Sequence, residues 1–110
     1  MGLLIIDQAI AAVAGAGIRA QRACPGMAMP AITEVVAAVQ LAKSDLDKRE
    51  TVLEVKFLCP QKLGAAACED AALTAGEALK DIDLSCIIGP VTFDGRTGLF
   101  SISCMATKPE

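Results

Sequence analysis

Five cysteines and no histidine set the terms for any chemistry this chain of 110 residues could perform. Cys24, Cys59, Cys68, Cys86 and Cys104 lie far apart and include no closely spaced C-x-x-C type pair. Zinc sites in short loops need such pairs or imidazoles, so neither structural nor catalytic zinc is expected. An odd count disfavours a disulfide framework, and Cys59, Cys68 and Cys104 fall on the apolar stripes of their segments. They read as reduced thiols that pack as small hydrophobes. Cys68 falls in the first turns of a predicted helix, where the dipole can lower a thiol pKa. Glu69 and Asp70 oppose that effect and no histidine can serve as base, so nucleophilic catalysis is not expected. Cys24, beside Pro25 and Gly26 with Arg19 and Arg22 nearby, has the better prospect of exposure. A thiol-based regulatory protein would show a fast-reacting Cys24 or Cys68.

Paired carboxylates are the remaining candidates for general acid–base work. Asp45 and Asp47 fall in a charged turn, Glu69 and Asp70 at a helix start, and Asp81 and Asp83 at a helix end. Each placement is routine for a solvated turn or a helix terminus. The glycine strings AGAG (14–17) and GRTG (95–98) lack the strand-loop-helix context and the lysine of a phosphate loop, and read as turns. No cofactor is implied.

Around these residues the periodicity changes several times. Leu3 to Ala14 are helix formers with Ile6, Ile10 and Val13 on one stripe, and the GAG at 15–17 ends the helix. Leu4 and Ile5 on its other side leave more apolar surface than a small domain covers, which hints at a partner subunit. Residues 18–34, with two prolines and a glycine, read as a connecting loop. A strand follows, with Val35, Ala37, Val39 and Leu41 on one face. After the charged turn Lys43 to Glu50, Leu53, Val55, Phe57 and Cys59 alternate on one face of a second strand, making an antiparallel hairpin ended by Pro60. From Leu63 to Ile82 the period becomes helical, with Cys68, Ala71, Ala72, Ala75, Leu79 and Ile82 as its stripe. Residues 86–106 form a second hairpin turning at DGRTG (94–98), interrupted by Gly89-Pro90. The expected fold is α+β: helix, β-hairpin, helix, β-hairpin, with one mostly antiparallel four-stranded sheet covered by helices.

A chain of this length supports one domain, 1–110, burying roughly two-thirds of its unfolded surface. With 54% hydrophobic residues and three Phe as the only aromatics, its core must be built from small aliphatic side chains. A net charge of −3 without a Lys/Arg cluster gives no footprint for nucleic acid. The N-terminal stretch lacks a basic flank, carries Asp7, and is too short for a membrane span, so a retained helix in a cytoplasmic protein is expected, without membrane association.

The segments ITEVVAAVQLAKSD (32–45), LEVKFLCPQKLGAAACEDAALTAGEAL (53–79) and CIIGPVTFDGRTGLFSISCMA (86–106) resemble small proteins encoded among the tail genes of prophages and phage-like elements of Firmicutes. In size and order of elements these are similar to tail-terminator and tail-completion (neck) proteins. The most specific part is the strand-Pro-x-x-Leu-Gly-helix segment with Cys68-Glu69, together with the turn Phe93-Asp94-Gly95-Arg96. The resemblance implies a non-enzymatic structural protein of the virion tail, assembled in the bacterial host cytoplasm. It further implies a homo-oligomeric, hexameric ring that caps the tail tube or joins it to neck, connector or sheath proteins. In such a ring the contact candidates are Lys43, Asp45, Asp47, Lys48 and Arg49 in the first hairpin tip and Asp94 and Arg96 in the second. Polar loop tips are also ordinary solvated hairpin ends. The alternative from the residues alone is a small-molecule or peptide-binding module of ferredoxin-like shape, using the exposed sheet face.

Overall fold

A computed structural model describes residues 2–23, 33–45, 47 and 50–108, without the side chains of 2–4 and 45. The elements are α1 (Gly2–Gly15), β1 (Arg19–Arg22), β2 (Val36–Asp45), β3 (Glu50–Pro60), a 3-10 turn (Gln61–Leu63), α2 (Ala65–Lys80), β4 (Ser85–Ile88), β5 (Thr92–Asp94) and β6 (Leu99–Lys108). They build one six-stranded mixed sheet in the order β1-β2-β3-β6-β4, with β5 also paired to β6.

This corrects the expected helix-hairpin-helix-hairpin layout and its four-stranded, mostly antiparallel sheet. Two local events make the difference. The stretch expected as a loop contains β1, which runs parallel to β2 with Arg19 opposite Val36 and Arg22 opposite Val39. Its sequence, RAQR, has no β-branched or aromatic residue, so its propensity for strand is low. The strand exists because β2 offers an open row of backbone groups: the Ala23 N–H donates to the Val39 carbonyl at 2.8 Å.

The second event is the split of one expected strand into β4 and β5. Ile88 faces Cys104 and Thr92 faces Ser101, so Gly89, Pro90 and Val91 stand opposite only Ser103 and Ile102. One residue is therefore extra, which defines a bulge. Glycine suits this position, because a Cβ would sit 3.1 Å from the Ser103 carbonyl oxygen to which the Gly89 N–H donates at 2.9 Å, and the backbone would have to give way by a few tenths of an ångström.

Both helices lie on one face of the sheet. α1 packs on β1 and β2, α2 packs on β3, β4 and β6, and the two helices touch. The core lies beneath them: Ala37 and Val39 from β2, Leu53, Val55, Phe57 and Cys59 from β3, and Ile102, Cys104 and Ala106 from β6. Cys68, Ala72, Ala75 and Leu79 of α2 and Ile6, Ala9 and Val13 of α1 close it from above. Each large buried side chain such as Phe57, Leu53 or Leu79 contributes about 1.5–3 kcal/mol of transfer free energy. The alanines of both helices keep their axes close to the sheet, which suits a core containing one large ring.

The opposite, helix-free face carries a polar row in its middle. Gln40 Nε2 donates to Glu54 Oε1 at 2.6 Å, and Lys56 and Ser103 stand beside them.

Candidate functional site

The two hairpin tips are built differently. β2 and β3 pair from Val36 opposite Leu58 out to Asp45 opposite Glu50, with a register shift between Leu41 and Lys43. Before the shift Leu41 lies on the helix side with Leu53; after it, Lys43 faces Val52 and joins the helix-free side. The bulge thus presents an exposed lysine at the root of the tip. Asp45 is the last residue of β2 and Asp47 is exposed in the turn, while Lys48 and Arg49 lie outside the described residues.

The second tip is closed by its own side chain. Asp94 Oδ1 accepts from the Arg96 N–H at 2.9 Å, and the Asp94 carbonyl accepts from the Gly98 N–H at 2.8 Å. Gly98 has φ +69°, in the left-handed region that glycine enters without a Cβ penalty. The Gly98 carbonyl then accepts from the Gln61 N–H at 3.1 Å, tying the tip to the start of the 3-10 turn. Behind the tip, Phe93 and Phe100 pack with ring centroids 5.0 Å apart at 55°.

β3 joins the two ends of this geometry. Thr51 pairs with Lys108 at one end and Pro60 with Leu99 at the other, so the Lys43–Glu50 tip and the Asp94–Gly98 tip lie at opposite ends of the sheet. With 11 residues in β3, that separation is roughly 33 Å. The described members of the expected contact set, Lys43, Asp45 and Asp47 on one side and Asp94 and Arg96 on the other, therefore fall at two separate ends.

The four described cysteines are packing residues. Cys59, Cys68 and Cys104 are fully buried thiols and Cys86 is half-buried, all without a disulfide. Cys59 Sγ lies 3.7 Å from the Gly64 carbonyl oxygen, and Cys68 Sγ lies 4.0 Å from that of Phe57. Burial pushes the Cys59 thiol up. Cys68 is pushed up to about 11, by burial first and then by the negative charge that Cys59 and Glu69 would place beside its thiolate. That is the opposite of activation. Cys86 and Cys104 share a hydrogen bond, which lowers the Cys86 thiol and, with burial, raises that of Cys104. Cys24 lies outside the described residues.

Glu69, Asp70, Asp81 and Asp83 are all exposed, at the two ends of α2. Among the described residues, no cluster of three or more His, Cys, Asp or Glu side chains could hold a metal ion. None of the described helices is long and apolar enough to cross a membrane.

A feature without a sequence signal is a groove between α2 and β4, floored by Cys86 and Ile88 and walled by Leu73, Glu77, Lys80 and Asp83. It exists because β4 is the last strand of the sheet, a fact of strand order that local patterning does not carry. Leu73 on its wall is 59% exposed, and Ile87, on the other face of β4, is 75% exposed.

No known family model matches the chain, and no curated protein matches it in sequence.

Proposed function

We propose that this protein is a structural subunit of a phage-type tail, forming a ring that caps the tail tube or joins it to the neck. The observation that carries the reading is the separation of the two polar tips to opposite ends of the sheet. A subunit that sits between a tube and a second structure needs two chemically distinct ends, and the ring also needs lateral surface for its neighbours. The exposed Leu73, Ile87 and Met105, which lie on the body between the tips, supply apolar area of that kind. The reading also draws on the resemblance of the three segments named above to tail-gene proteins.

The test is the solution mass of the reduced protein by light scattering over a range of concentrations, with negative-stain imaging, alone and with tail-tube protein added. Rings, formed alone or on adding tube protein, are expected. A monomer that ignores tube protein at every concentration would overturn the reading.

A further inference from the structure

The sheet ends in β1 on one side and in β4 and the short β5, both beside β6, on the other. β1 and β4 are each four residues long, and the hydrogen bonds beside them fix which backbone groups face outward. In β1, the Ala23 N–H donates to the Val39 carbonyl, so by alternation Arg19 and Gln21 also turn toward β2. Ala20 and Arg22 therefore direct their N–H and C=O groups away from the sheet. In β4, the Gly89 N–H donates to the Ser103 carbonyl, so Ile87 and Ser85 turn toward β6. Cys86 and Ile88 direct theirs outward.

We propose that β4 of one copy pairs with β1 of the next, continuing the sheet head to tail. The inference rests on the assembly reading above for the existence of an oligomer, and adds which edges meet.

Three independent features agree. The first is direction: β1 and β2 run one way, β3 the other, β6 back again and β4 opposite to β6. A neighbour in the same orientation thus brings its β1 antiparallel to β4, which two edges left open among the described residues can accept. The second is the pleat. Ala20 pairs with Ala37, Cys86 with Ala106 and Ile88 with Cys104, all on the helix-covered side. The four outward-facing residues therefore share one face, and pairing Ala20 with Ile88 and Arg22 with Cys86 keeps the helices of both copies on the same side.

The third is charge. In this register the Arg22 side chain enters the α2–β4 groove of its neighbour at the end that holds Asp83 and Glu77, with Lys80 the one opposing charge among its lining residues. Arg22 is exposed, and the other arginine of β1, Arg19, already has a partner in Glu34 at 3.7 Å.

The register also specifies a stagger. Within one copy, Arg22, Val39, Val55, Cys104 and Ile88 form one row across the sheet. Full overlap of the two edges moves Arg22 from the level of Ile88 to that of Cys86, a displacement of two residues, or about 7 Å, per copy. Closing a sheet on itself requires a stagger of this kind.

The test uses three variants of the full chain and one measurement on the unaltered protein. Arg22→Pro removes an outward N–H and the charge while leaving every β1–β2 ladder bond in place, and proline is tolerated at such an edge position. Arg22→Glu places like charge in the groove, and adding Glu77→Arg, on the exposed face of α2, reverses the pair. Light scattering should show that each single change weakens assembly at least tenfold and that the reversed pair restores most of it. Assembly of Arg22→Pro at the unaltered level, or no rescue of Arg22→Glu by Glu77→Arg, would overturn the proposal. Independently of any variant, amide exchange at Cys86 and Ile88 should be fast in the monomer and slow in the oligomer. An oligomer in which both amides exchange freely would leave the ring standing and remove this edge pairing. Protection that arises only when tail-tube protein binds a monomer would assign the β4 edge to that partner and also overturn it. A chain that stays monomeric and ignores tube protein removes both readings together.

Discussion

Asp83 occupies at the end of α2 the position that Gly17 occupies at the end of α1. After α1, the Ile18 N–H reaches the Val13 carbonyl and the Gly17 N–H that of Ala14; after α2, the Leu84 N–H reaches Leu79 and the Asp83 N–H reaches Lys80. Both ends are thus the same paired closure, with the left-handed residue followed by a buried apolar one that packs back on the helix. Gly17 takes φ +90° and Asp83 takes φ +64°. Aspartate tolerates that region better than most residues but less well than glycine. Asp83→Gly is expected to stabilise the fold by about 0.5–1 kcal/mol and Gly17→Ala to destabilise it by about 1 kcal/mol or more, read by urea unfolding. Equal effects of the same sign would contradict this closure.

Two further glycines should respond in opposite directions. A Cβ on Gly76, within α2, would meet Ile88 Cδ1 at 3.4 Å, an ordinary contact, so Gly76→Ala should gain up to about 1 kcal/mol of helix propensity. A Cβ on Gly89 would meet a backbone oxygen at 3.1 Å, and Gly89→Ala should open the bulge and lower the melting temperature by several degrees. Thermal unfolding of the two variants side by side checks the pair.

Stability should fall at alkaline pH. The Cys68 thiol is raised from an ordinary 9.0 to about 11 by burial, and Cys59 is raised in the same direction. Below about pH 9 these thiols are protonated in both states and contribute no pH dependence. Between pH 9 and about 11 the unfolded chain loses protons that the folded chain keeps, so folding becomes less favourable, by on the order of 2 kcal/mol from Cys68. Unfolding free energies measured from pH 7 to 11 should show that decline, and Cys68→Ala should flatten it. A native protein whose Cys59 and Cys68 react with a thiol reagent as fast as the unfolded chain would contradict this burial.

Asp94 can be separated from the rest of its tip. Asp94→Ala deletes the carboxylate that accepts the Arg96 N–H but leaves the Gly98 bond, and should cost about 0.5–1 kcal/mol by chemical denaturation. Asp94→Asn retains an acceptor oxygen and should cost less. If this tip contacts the tube, Arg96→Glu should weaken capping without altering the unfolding midpoint.

Phe57 anchors the centre, fully buried under α2. Phe57→Ala should cost about 3–5 kcal/mol, enough to show as loss of a cooperative melting transition at growth temperature.

Much of this architecture is written in local pattern. The stripe of Cys68, Ala72, Ala75 and Leu79, the alternation of Leu53, Val55 and Phe57, and the Asp94–Gly98 reversal are each carried by neighbours in sequence, because helix and strand periods act within a few residues. The burial of Cys59 and Cys68 follows from the same stripes. The tertiary structure alone decided the rest. β1 is a strand because β2 is beside it, and nothing in Arg19–Arg22 encodes that neighbour. Strand order put the two charged tips at opposite ends of β3 and, among the described residues, left β1 on one side and β4 with β5 on the other as the sheet's edges, since pairing partners are chosen by contacts distant in sequence.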